Sequence, residues 1–254
     1  MVLVLQLALA VVLLTAWQFL SPALDMVFFI STPQAIAESF IGLARSGSLL
    51  FHAGITTLEA GLGFLLGGGA GMFAGVLLGR NKLLSDVLQP FLTAFYSLPK
   101  AALGPLFILW FGIGLNMKIL LAATIVFFIV FLNTFRGVRE VSPEQIAILR
   151  LMNAKERHLL TKVILPSAIV WVFAGLRLSV PYALIGAIVG EIIASNRGLG
   201  YLLSYSASRF DTAGTFAALG AIVILALILN KILDISERRL MPWRVSDAGR
   251  EIVV

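Results

Sequence analysis

Leu3 to Leu20 runs for 18 residues without a charge, and comparable apolar stretches recur along the whole chain. A helix needs about 20 apolar residues to span a bilayer. Recurrent runs of that length restrict the chain to a polytopic helical membrane protein. Composition agrees: 59% of the 254 residues are hydrophobic, 13% are charged and the mean hydropathy is +1.00. Soluble domains are about 45–50% apolar and about 25% charged. A soluble enzyme, a disordered chain and a fibrous chain are thereby excluded. So is an outer-membrane barrel, whose strands alternate and give no long apolar runs.

The spacing predicts six spans: Leu3–Leu20, Leu49–Gly79, a short broken one over Ala101–Ile113, Ile119–Phe135, Ala168–Ile193 and Thr215–Ile232. Residues 21–48, with Pro22, Pro33 and Gly47, read as an external loop. Residues 83–98 place Leu84, Val87, Leu88, Phe91 and Phe95 on one helical face, the pattern of an interfacial amphipathic helix. Pro99 ends that helix, and Pro105 interrupts the run beyond it. The 254 residues form one transmembrane domain, with residues 136–167 as a polar loop inside it.

Basic residues fix the orientation. With both termini inside, the inner segments hold Arg80, Lys82, Arg136, Arg139, Arg150, Lys155, Arg157, Lys162, Lys231, Arg238, Arg239, Arg244 and Arg250. The outer segments hold Arg45, Lys118, Arg197 and Arg209. This bias predicts an N-in, C-in topology. It also accounts for the net charge of +6 without a nucleic-acid partner.

The second span carries Gly63, Gly67, Gly71, Gly75 and Gly79, one every four residues. On a helix they line up as a seam where another helix can approach closely. Ionisable residues inside spans are pathway candidates by default; here these are Glu59, Lys100, Arg177 and Glu191. Glu59 is expected near the outer interface. Lys100 is expected to snorkel from the inner end of its span. Arg177 either faces a cavity, where it suits an anionic substrate, or has a structural partner. It lies about 21 Å of helix from Glu191, too far for a direct pair. With no cysteine and two distant histidines, His52 and His158, no metal site, catalytic constellation or bound cofactor is expected.

The loop is the most informative stretch. Ser142 is suited to cap a helix, Pro143 suits its first position, and Gln145 sits where a capping box needs it. The predicted helix, 143 to about 152, is too short to span yet carries Ile146, Ala147, Ile148 and Leu149. Asn153 supplies a residue that tolerates the left-handed turn ending it. A second helix, from about Lys155 to Leu165, is expected to stop before Pro166. A short apolar helix held in water needs a surface to bury against: either the protein's own membrane-proximal surface or a groove on a cytoplasmic partner.

The loop resembles the EAA loop of ABC importer permeases. Val163-Ile164-Leu165-Pro166 matches its closing signature, Asn153 stands where that pattern has glycine, and Ala147-Ile148-Leu149 stands in the E-A-A position, with Glu144 three places early. Gly104–Gly114, Asn133–Val138 and Gly198–Leu202 resemble the nitrate, sulfonate and taurine branch. The resemblance implies a type I importer fold in a bacterial inner membrane. It implies two permease copies, ATPase subunits docked through Glu144, Ile146, Ala147, Ile148, Leu149, Asn153, Leu165 and Pro166, and an external binding protein that delivers substrate. It also implies a substrate that is a small anion or organic acid. ATP and magnesium would bind the partner ATPase, since no G-x-x-x-x-G-K-[ST] segment occurs in this chain. The rival reading, an ion-coupled secondary transporter, calls for inverted repeats, and none is evident.

Overall fold

The computed structural model describes residues 2–240. Arg244, Arg250 and the side chain of Lys82, counted above, lie outside what is described. The elements in order are α1 (Val2–Ala23), α2 (Val27–Ile30), α3 (Pro33–Arg45), α4 (Ser48–Arg80), α5 (Lys82–Ser97), a 3₁₀ turn (Lys100–Leu103) and α6 (Gly104–Phe111). Then follow α7 (Leu115–Arg139), α8 (Pro143–Leu151), α9 (Glu156–Leu159), a π turn (Leu160–Ile164), α10 (Leu165–Ile193), α11 (Leu199–Ser208) and α12 (Thr212–Leu240). No strand occurs among the described residues.

Six segments are long and apolar enough to cross a membrane: Val2–Ala23, Val27–Arg45, Ser48–Arg80, Leu115–Arg139, Glu156–Ile193 and Thr212–Arg239. The set differs from the expected one at two places. Residues 21–48 are mostly helical and not a loop. Their proline and glycine mark helix ends: Thr32 caps α3 by accepting from Ala35 N–H at 3.3 Å, Pro33 takes the first position, and Gly47 follows the end with φ 74°. The expected short span over 101–113 is a 3₁₀ turn plus an eight-residue helix, and it reaches spanning length only together with α5.

The chain forms two compact units. The first comprises residues 2–65, 99–124 and 183–225; the second comprises 66–98, 125–182 and 226–240. In the first, the α7 residues Met117, Leu121 and Ala122 are fully buried, and Ala183, Ala187 and Leu199 are buried as well. In the second, Val126, Val130 and Phe131 of α7 are equally buried, and Val138, Ile164 and Ala168 form a cluster backed by Val76 and Leu160.

The glycine spacing is a helix contact. In the first unit Gly63 meets Ala122; in the second Gly71, Gly75 and Gly79 meet Phe127, Thr134 and Val138 of the same α7. Gly67 is buried too. A Cβ on Gly71 would lie 2.6 Å from the Phe127 carbonyl oxygen, while one on Gly69 would meet nothing within 4 Å. Backbone cannot yield as a side chain can. Gly71→Leu is therefore expected to cost at least the ~1–3 kcal/mol typical of overpacking and to reduce the monodisperse yield on size exclusion, whereas Gly69→Leu should not. Equal yields would show that the seam carries no packing.

Pro166 does not end the second loop helix. The helix runs unbroken from Glu156 to Ile193, with the π turn just ahead of the proline. A proline ring crowds the carbonyl four residues back and lacks a donor. The wider π turn makes room for it without a break.

Candidate functional site

Two polar assemblies stand out, one in each unit. In the second unit the loop builds a displayed helix. Ser142 Oγ accepts from Gln145 N–H at 3.5 Å, and its hydroxyl donates to the Glu144 carboxylate. The second side-chain contact at this cap thus comes from Glu144, not from the expected Gln145. That hydrogen bond holds the exposed Glu144 carboxyl below its ordinary value, so it carries charge at the helix N-terminus, where negative charge is favoured.

Asn153 takes φ 56°, and Asn153 and Ala154 N–H return to the carbonyls of Arg150 and Leu149 at 2.9 and 3.0 Å. The expected left-handed stop is present. On α8, Ile146 and Leu149 are half-buried, while Ala147 and Ile148 are exposed, as are Leu151 and Met152, at 88% and 72%. The apolar side free for a partner is therefore Ile148 and Leu151, with Leu149 turned partly inward. Leu165 and Pro166 are exposed at the start of α10.

Glu156, which the sequence did not single out, forms ion pairs with Arg80 at 3.5 Å and Arg150 at 3.6 Å. Arg139 reaches Ser85 Oγ at 2.9 Å and Asp86 at 3.9 Å, tying the end of α7 to α5. Arg177 pairs with Glu237 and with Asp234 at 3.5 Å, both on α12. Its partner is thus a neighbouring helix, and Glu191 lies elsewhere.

The first unit holds a buried polar knot. Thr56, Glu59, Lys118 and Glu191 are each at most 5% exposed. Lys118 Nζ donates to Glu59 Oε1 and to Ser195 Oγ, both at 2.7 Å. Thr56 donates to Glu191 Oε1 at 2.7 Å and accepts from Leu199 N–H at 2.8 Å. Gly200 N–H donates to Glu191 Oε2 at 2.6 Å, and Gly198 N–H donates to His52 Nδ1 at 2.9 Å. The Gly198–Tyr201 turn is thereby held by α4 and α10. Gly198 sits at φ 103°, a backbone region for glycine, and a Cβ there would collide with the Glu191 carboxylate.

One sequence expectation changes here. Glu59 is enclosed by protein, and Lys118, counted among outer-loop charges, is its buried partner. Glu59 and Glu191 are brought into one knot through Thr56, one helical turn from Glu59. Lys100, half-buried, opens the 3₁₀ turn. Lys118 was missed because the sign-counting argument treats a lysine near a span end as solvent-exposed. Its place in the first turn of α7 is the signal that marks it.

Long apolar helices with a capped, partly apolar helix displayed in a basic loop define a multi-pass helical membrane protein. The chain belongs to the family of binding-protein-dependent transport system inner membrane components, whose model matches residues 67–244. It is 36% identical over 96% of its length to a Bacillus subtilis (strain 168) permease named for aliphatic sulfonates transport, covering 88% of that protein. It is 34% identical over 86% of its length to a riboflavin transport system permease protein of Chloroflexus aurantiacus, covering 82% of it. It is 28% identical over 91% of its length to the taurine transport system permease protein of Escherichia coli (strain K12), covering 86% of it. Its fold matches an inward-facing MetNI methionine ABC transporter chain with a TM-score of 0.61 at 19% identity, over 74% of this chain and 92% of that one. The chain is thus an ABC importer permease component of type I fold and not an enzyme; ATP hydrolysis lies in separate subunits. The secondary-transporter reading falls with this assignment.

Proposed function

We propose that this chain is the inner-membrane permease of an importer for a small organic anion of the sulfonate or taurine class. The observation that carries the coupling part is α8: a capped helix with Ile148 and Leu151 presented outward and exposed among the described residues. Two copies form the pathway, ATPase subunits holding ATP and magnesium bury α8 on the cytoplasmic side, and an external binding protein delivers substrate. Six crossings are α1, α4, α5 with α6, α7, the α9–α10 helix and α12. This set keeps Arg80, Arg136 and Arg139 on one side, as the charge rule asks. The amphipathic α3 then lies along the outer face.

The substrate class is supported by the relatives named for sulfonates and taurine, at 36% and 28% identity. Calorimetry on the cognate binding protein tests it. Micromolar or tighter binding of taurine or an alkanesulfonate is the expected result. Binding of riboflavin with no sulfonate affinity would overturn the class while leaving the permease assignment intact.

A further inference from the structure

A cleft of about 730 Å³ opens in the second unit beside α8. One wall is apolar, made by Phe73 and Leu77 of α4 and by Ile164. At its end stand Arg80, the last residue of α4, and Arg150 of α8, with Glu156 between them. Seven residues of helix separate Phe73 from Arg80, about 10 Å. The cleft is therefore apolar along about 10 Å and cationic at one end.

The charges there are incompletely matched. Glu156 lies 3.5 Å from Arg80 and 3.6 Å from Arg150. Charge-assisted guanidinium–carboxylate bonds are about 2.7–2.9 Å long. One carboxylate is stretched between two cations, so one positive charge is left over and both forks keep donors to offer. A phosphate group has the oxygens to engage both.

We infer that this cleft holds an anionic phospholipid, its phosphate bridging Arg80 and Arg150 and its acyl chains lying on Phe73 and Leu77. A free anion has no use for the apolar wall. Phe73 and Leu77 are 71% and 51% exposed on a helix long and apolar enough to span a membrane, within reach of acyl chains. Basic pockets between spans on the cytoplasmic side are the usual seat of anionic headgroups. The bound lipid would join the end of α4 to α8, so that the loop helix moves with the span. The inference uses the cytoplasmic placement of Arg80 and is independent of the substrate class.

Native mass spectrometry of the full chain in detergent, with phosphatidylglycerol or phosphatidylcholine added, tests this. Wild type is expected to retain phosphatidylglycerol in preference. Arg80→Gln with Arg150→Gln should lower that retention by roughly ten-fold or more. Glu156→Gln should raise it, because the competing carboxylate is gone; a merely structural ion-pair network predicts no gain. The gain also decides the matter should the double variant fail to fold. Equal retention of the two lipids would overturn the inference, as would displacement of phosphatidylglycerol by inorganic phosphate. Unchanged retention in the arginine variants alongside lost ATPase recovery would assign the cleft to the partner protein instead.

Discussion

Ile148→Asp and Leu151→Asp should each leave the permease inserted and monodisperse while abolishing recovery of its ATPase subunits and ATP-driven transport. Both side chains stand exposed on α8, at 57% and 88%. Burying one such side chain in a partner groove is worth roughly 1.5–3 kcal/mol, about ten- to a hundred-fold in affinity. A carboxylate in the same groove forfeits that gain and adds its own desolvation cost. Leu149→Asp is a poorer probe, because Leu149 is half-buried and the change also strains the permease. Arg150→Ala, an exposed ion pair with Glu156, should leave ATPase recovery within about two-fold. A pull-down scored beside the size-exclusion trace of the permease alone checks all three. Full recovery by both aspartate variants would remove α8 as the docking element.

The second large effect is expected at Lys118. Lys118→Met removes the cation from a carboxylate that is 1% exposed. Breaking a buried pair from one side typically costs about 3–5 kcal/mol, because the remaining charge is stranded. For a chain of this size that corresponds to a melting temperature lower by roughly 10 °C. Adding Glu59→Leu should restore most of the loss, since an apolar pair needs no compensation. Thermal melts of the two singles and the double form a cycle that isolates the pair. If Lys118→Met melts like wild type, the buried Lys118–Glu59 pair carries no stability.

The features written in local sequence were legible. Runs of apolar residues gave the long helices, and the four-residue glycine spacing gave a contact whose partner, α7, could not be named from the spacing. The cap at Ser142 and the left-handed Asn153 were readable because both depend on neighbours only. The misreadings have a common cause. Pro33 and Gly47 punctuate helix ends as readily as loops, and only the chain around them decides which. Pro166 reads as a stop because a π turn leaves no mark in composition. Glu59 and Lys118 are 59 residues apart, and Arg177 is 60 from Glu237. Such pairings are tertiary, and charge counting along the chain sees each residue singly. Which face of α8 looks outward likewise depends on tertiary packing, which leaves Leu149 half-buried and Leu151, a residue without a sequence-based role, exposed.

The central claim is that this chain passes substrate only when a binding protein delivers it and a separate ATPase drives it. Uptake into proteoliposomes containing this chain, measured with and without its ATPase and its binding protein, tests that most directly. Accumulation is expected only with all three components and ATP, and none when Ile148 is aspartate. Accumulation driven by an ion gradient, with the ATPase left out, would contradict it.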